Sequence, residues 1–133
     1  MKPLFIFEMA NNHMGDPAHG LRVIREFAKV KEEYKEFDFA FKFQFRNIDT
    51  FIHPDYKERM DLKYVKRFTE TRLTDEQFVV LKQEAENHGF ISVCTGFDED
   101  SVFLIEEMNF EVIKIGSCSF TDWPLLNRIA ETD

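Results

Sequence analysis

Apolar and polar residues alternate most regularly over residues 37–46, FDFAFKFQFR. Phe39, Phe41, Phe43 and Phe45 fall on one face, and Ala40, Lys42, Gln44 and Arg46 on the other. Side chains along a strand point alternately to opposite sides, so this period of two predicts a strand and argues against a helix. Residues 4–9 form a shorter apolar run interrupted only by Glu8, which predicts the first strand. Residues 90–95 and 112–116 predict the third and fourth. Between these runs the period changes. Asp16 and Pro17 offer an N-cap and a first-turn proline, and Leu21, Ile24, Phe27 and Ala28 then recur at helical spacing to about residue 34. Thr74-Asp75-Glu76-Gln77 is a capping box for a helix that runs to Asn87 and closes at Gly89, with Phe78, Leu81 and Ala85 as its packing stripe. Asp98 caps a helix through Met108, and Asp122-Trp123-Pro124 starts the last one. Residues 47–73 carry Pro54, many charges and a short helical pattern over 62–68. A connection of that length often carries function.

The resulting order, βαβαβαβα, predicts a parallel sheet. A doubly wound sheet wants strands apolar on both faces. Here one face of the second strand is polar, and Glu8 and Lys114 sit near the carboxyl ends of the first and fourth strands. Polar groups converging at that edge suit the mouth of a (β/α)8 TIM barrel, which needs about 250 residues. The expectation is an α/β fold, a partial TIM barrel made of the first four β/α units with parallel strands. Residues 1–133 then form the N-terminal half of a barrel domain, cut at its C-terminal end.

Composition narrows the function classes. Lys and Arg number 17 against 25 Asp and Glu, a net charge of -8. That balance argues against a nucleic-acid binder, which needs a broad basic face. No segment approaches the roughly 20 apolar residues of a membrane span, and the N-terminus lacks the apolar stretch and cleavage site of a signal peptide. Two cysteines, Cys94 and Cys118, make no disulfide framework, which predicts a cytoplasmic protein. Cys94 alternates away from Thr95 and reads as a small core residue. None of the four histidines pairs at i,i+4 or fits a Cys/His spacing, so no metal site is predicted in this chain. The carboxylates Glu32, Glu33, Glu36, Glu84, Glu86, Glu106 and Glu107 read as solvated helix faces.

If the polar face of the second strand looks into a barrel, Lys42 and Gln44 share it, with Glu8 and Lys114 as neighbours. A buried lysine must be paired or meet an anion, because an isolated buried charge is too costly. Two readings stay open: an ion pair of Glu8 with Lys42 or Lys114 that closes the barrel, or an anion site with positive charge to spare. Asn12 and His13, in the segment Asn11-Asn12-His13-Met14-Gly15, follow the first strand at the edge where barrel enzymes keep their active sites. Turn chemistry explains the Asn and Gly residues there almost as well. Thr95 before Gly96, and Ser117 after Gly116, could present hydroxyls and free N–H groups to a phosphate or carboxylate.

Taken together, Phe7-Glu8-Met9-Ala10-Asn11-Asn12-His13-Met14-Gly15, Phe41-Lys42-Phe43-Gln44, Thr95-Gly96-Phe97-Asp98 with Ser101, and Val112-Ile113-Lys114-Ile115-Gly116-Ser117 are more specific than any one alone. In this order and spacing the chain resembles the N-terminal half of the barrel of the sialic acid synthase (N-acetylneuraminate synthase) family. The sequence departs from the family pattern in having Gly96 where proline is common and Met9-Ala10 where Ile-Gly or Ala-Gly is more usual.

The resemblance implies a carbon–carbon bond-forming transferase of carbohydrate biosynthesis. Phosphoenolpyruvate is condensed with an N-acetylated hexosamine aldehyde, N-acetylmannosamine or a related 2-acetamido sugar, to a nonulosonic acid such as sialic acid, with release of phosphate. It implies Lys42, Thr95, Lys114 and Ser117 as phosphoenolpyruvate-binding, Gln44 as orienting that substrate, Glu8 as the catalytic acid/base or water-positioning carboxylate, and Asn12 and His13 as lining the site. It also implies a divalent metal, Mn or Mg, held by histidines outside this chain, and a homodimer. The isolated 133-residue chain is not expected to catalyse the reaction alone. The competing readings are a noncatalytic sugar- or phosphate-binding or structural module, and another phosphoenolpyruvate-dependent aldol-type synthase. For the latter Arg46 is the one candidate to meet a phosphorylated aldehyde. Neither a nucleic-acid nor a membrane partner is expected.

Overall fold

The computed structural model describes residues 2–132. Its elements alternate as β1 (Leu4–Glu8), α1 (Pro17–Glu33), β2 (Asp38–Phe45), α2 (Ile48–Phe51), α3 (Lys63–Glu70), α4 (Asp75–Asn87), β3 (Ile91–Gly96), α5 (Glu99–Glu107), β4 (Val112–Ile113) and α6 (Trp123–Ala130). Single 3₁₀ turns lie at Pro54–Tyr56 and Ser117–Ser119. All three strand pairings are parallel, and the order is β1-β2-β3-β4. Each strand lies beside its neighbour in sequence, with no reversal of order, so the sheet has no topological switch point. The chain is therefore a (β/α)4 portion of a TIM barrel.

Local chemistry sets the helix starts. The side chains of Asp16, Asp98 and Asp122 accept from the backbone N–H groups of Ala18, Ser101 and Leu125 respectively, and Thr74 with Gln77 closes the reciprocal capping box. Asp98 does a second job: its other carboxylate oxygen accepts from Asn47 N at 2.8 Å, pinning the exit of β2 to the start of α5.

The phenylalanine face of β2 is the floor of the core. Phe39, Phe41, Phe43 and Phe45 are buried with Ile24 and Ala28 of α1, Leu81 and Ala85 of α4, Ile105 of α5, and Cys94, which is the core residue expected. Rings interlock along it, with Phe7 stacked on Phe39 at 5.5 Å and Phe45 set edge-on to Phe78 at 4.5 Å between centroids. Such offset and edge arrangements suit the ring quadrupole. Gly20 allows α1 and α4 to approach: a Cβ there would lie 2.9 Å from a Leu81 methyl and 3.3 Å from His13 Cβ. The other face of the sheet is concave and partly open, with Leu4, Ile6 and Val112 exposed.

Three expectations are corrected. The fourth strand is only two residues long by its ladder, although Lys114 N still donates to Cys94 O at 2.8 Å. Residues 47–73 are more regular than their pattern suggested, with α2, a 3₁₀ turn and an α3 that starts and ends later than the expected 62–68. Glu84 and Glu86 are not simply solvated. Glu84 accepts from Arg25 at 2.6 Å, which lowers its pKa, and Glu86 pairs with the buried Lys82.

Candidate active site on the concave face

Strand register builds the site. Glu8 is paired with Lys42 and Lys42 with Val93; one step nearer the carboxyl ends, Gln44 is paired with Thr95. Val93 is paired with Val112, so continuing the register two residues sets Lys114 beside Thr95. Residues opposite one another on parallel strands share a face. Glu8, Lys42, Gln44, Thr95 and Lys114 therefore occupy two adjacent rows of the concave face.

Within the first row Lys42 Nζ meets Glu8 Oε1 at 2.8 Å, with the lysine side chain only 6% exposed and the glutamate 57%. The ion pair is thus lopsided: a buried ammonium is held by a carboxylate that water still reaches. In the second row Thr95 Oγ1 is buried and bonds no protein group. A buried hydroxyl without a partner costs about 1–3 kcal/mol, so this one suits an oxygen-rich ligand. Lys114 is exposed and takes part in no ion pair among the described residues. Two lysines and one carboxylate on these rows leave net positive charge, and the geometry can hold a dense anion.

The remaining sequence candidates lie at or beyond the strand ends. Ser117 is exposed at the start of the 3₁₀ turn that follows Gly116. Asn12 is exposed in the turn after β1, its N–H bonded to Met9 O at 2.8 Å. His13 is buried instead, edge-on to Phe78 at 6.0 Å, with Nδ1 accepting from Gly15 N at 3.1 Å. Burial, with a smaller contribution from His19, lowers its pKa, so the ring is neutral near pH 7 with its proton on Nε2. The same turn holds Ala10 at φ 44° and Met14 at φ 57°, both left-handed without being glycine. Non-glycine residues so held cost energy and cluster at functional sites.

Three arrangements at the site emerge only in the tertiary structure. Asn11 Nδ2 donates to Thr71 Oγ1 at 2.8 Å, tying the first loop to the end of α3. Arg46 donates to Gln44 Oε1 at 2.9 Å, and its guanidinium lies 4.4 Å from the Phe68 ring centre and 3.9 Å from that of Phe97. A cleft of about 850 Å³ runs over the carboxyl edge, with Asn11, His13, Gln44, Arg46, Phe68 and Phe78 in its wall. Lys42 and Thr95, both buried, and the exposed Lys114 lie outside that cleft, on the concave face of the sheet. Arg46 continues the two-residue alternation of Lys42 and Gln44, which was the signal available for it.

Among the described residues no three His, Cys, Asp or Glu side chains converge as a metal cradle. His13 is committed through Nδ1 to Gly15, and Glu8 to Lys42. These residues do not by themselves fit a metal. No described helix is long and apolar enough to cross a membrane.

Comparison with known proteins agrees with the fold. A crystal structure of a Chromobacterium violaceum protein assigned to spore coat polysaccharide biosynthesis (protein E) superposes with a TM-score of 0.95 at 59% identity, over 99% of this chain and 39% of that one. The N-acetylneuraminic acid synthetase of Leptospira borgpetersenii serovar Hardjo-bovis, solved with citrate, gives 0.76 at 28% identity over 98% of this chain and 42% of that one. An uncharacterized protein of Methanocaldococcus jannaschii is 31% identical over 98% of this chain and 36% of its own length. Human N-acetylneuraminate-9-phosphate synthase is 26% identical over 97% and 36%. The chain thus spans between 36% and 42% of the length of these relatives. The NeuB family model matches residues 36–133, which include β2, β3, β4 and four of the five residues on the concave rows, and the chain belongs to the NeuB family.

Proposed function

We propose that the whole protein condenses phosphoenolpyruvate with an N-acetylated hexosamine aldehyde to a nonulosonic acid and phosphate, and that this chain supplies the phosphoenolpyruvate half of the site. The observation that carries the reading is the pair of concave rows, which bear two lysines, one buried unpartnered hydroxyl and one amide against a single carboxylate. Phosphoenolpyruvate carries its carboxylate and its phosphate ester oxygen on one carbon. Lys42, Lys114, Thr95 and Ser117 are the donors for those oxygens, and Gln44 orients the same substrate. Donors fixed by a sheet need no reorganisation as charge moves, which is how such a site favours its transition state.

The methylene carbon of phosphoenolpyruvate forms the new bond to the aldehyde carbon, and the aldehyde oxygen takes a proton. Water adds to the resulting oxocarbenium carbon, loses a proton, and the carbon–oxygen bond to phosphate breaks. Glu8 is the carboxylate placed to receive or deliver those protons, since its exposed side faces water while Lys42 holds it in position. The family's divalent metal would polarise the aldehyde, with its ligands in parts of the whole protein other than this chain. In that protein these four β/α units form the first half of the barrel, the enzyme is a cytoplasmic homodimer, and the remaining strands cover Leu4, Ile6 and Val112.

The test is phosphate release from phosphoenolpyruvate by the whole protein with manganese and a panel of 2-acetamido sugars. The panel includes forms phosphorylated at the terminal hydroxyl, because the human relative is named for a 9-phosphate product. Activity that falls at least a thousandfold in Lys42→Met and Lys114→Met supports the reading. No release with any sugar would overturn it in favour of a binding module.

A further inference from the structure

We infer that Arg46 is a positioning residue that locks the Gln44 amide, so that its N–H groups face the substrate and its oxygen does not. The inference rests on the proposed reading, in which Gln44 orients phosphoenolpyruvate, and adds to it a residue that touches no reacting atom. Arginine carries donors only, so a side-chain amide beside it must turn its oxygen inward to accept. That is the geometry found, with the guanidinium donating to Gln44 Oε1 at 2.9 Å. The Gln44 Nε2 hydrogens then have no protein acceptor among the described residues and lie on the row that holds Thr95. An anion needs donors, and a free glutamine amide can present either end. Arg46 removes that choice.

Arg46 is itself held without a carboxylate. It takes part in no ion pair among the described residues, and its guanidinium carbon lies over the rings of Phe68 of α3 and Phe97 after β3. Both rings stack on a planar cation, which a lysine ammonium cannot reproduce. The contact also ties the segment carrying α3 to the site, since Phe68 and Phe97 come from different parts of the chain and both lie against Arg46, as both do against Phe51. Aromatic faces, not a carboxylate, hold the guanidinium in place, and its donated bond goes to Gln44.

The experiment is a double-mutant cycle in the whole enzyme with Arg46→Met, Gln44→Ala and the pair. Met keeps an unbranched side chain that can lie against the two rings but loses the donor. Arg46→Met should raise the phosphoenolpyruvate KM roughly tenfold, the loss expected for one charge-assisted hydrogen bond, with kcat changed less than about twofold. Arg46→Lys, which retains a donor, should recover part of that KM. In the Gln44→Ala background Arg46→Met should add less than about twofold, because its partner is already gone. A full tenfold effect in that background, or a lower melting temperature with KM unmoved, would overturn the proposal. A second readout needs no turnover: in protein labelled with ¹⁵N-glutamine, the Gln44 side-chain signal, assigned by its loss in Gln44→Ala, should shift and broaden in Arg46→Met. If the wild type releases no phosphate from phosphoenolpyruvate, the functional reading fails separately. The amide signal then still decides, and an unchanged signal overturns the lock.

Discussion

Lys42→Met separates the two roles open to the Glu8–Lys42 pair, a strut that closes the sheet or a cation kept for a ligand. The lysine side chain is 6% exposed and the glutamate 57%, so removing each partner has a different cost. At an effective dielectric near 20, opposite charges about 4 Å apart attract by about 4 kcal/mol. Against that stands a desolvation penalty of several kcal/mol for the buried ammonium. The two nearly cancel, and Met adds back apolar burial in the same space. Once unpaired, Glu8 is hydrated through its open side. Lys42→Met should therefore lie between neutral and about 2 kcal/mol more stable, while activity is lost. Glu8→Gln runs the other way. It leaves the buried ammonium with a weaker acceptor, and should cost about 1–2 kcal/mol, less than the 3–5 of a fully buried pair because water reaches one side. Urea unfolding at pH 7, with phosphate release measured on the same samples, reads both quantities. A loss of 2 kcal/mol or more in Lys42→Met would refute the reasoning and make the pair a structural strut.

Other positions give independent checks. Ala10 sits at φ 44°, so Ala10→Gly should raise stability by about 1 kcal/mol by urea midpoint; no gain would mean the turn is unstrained. The lowered pKa of His13 means that the unfolded chain protonates it first as pH falls. Its share of stability is complete above pH 6.5 and is lost as pH drops from there toward the lower folded value. His13→Asn, which can keep an acceptor for Gly15 N, should flatten that part of the pH–stability curve, and an unchanged slope would count against it. Phe43 is 1% exposed under the helix layer, and Phe43→Ala should cost about 3–5 kcal/mol in thermal or urea unfolding. A loss below about 1 kcal/mol would mean that the layer collapses onto the gap.

Much of this architecture was legible because it is written in short-range signals. The alternation over residues 37–46 settles which face of β2 packs against the helices, since a period of two leaves the phenylalanines no other side. Asp16, Thr74 with Gln77, Asp98 and Asp122 mark helix starts because a cap satisfies backbone donors only two or three residues away. From these the βα order follows, and with it the parallel sheet and the edge where polar groups gather. Tertiary structure decided what depends on contacts across the chain. Whether Glu8 pairs with Lys42 or Lys114 depended on strand register. The burial of His13 depended on the close approach of α1 and α4 at Gly20, and the grip on Arg46 on two rings 22 and 51 residues away from it. Local chemistry chooses elements one at a time, whereas the ion pair, the unpartnered Thr95 hydroxyl and the turned Gln44 amide exist only once separate strands and helices share one surface.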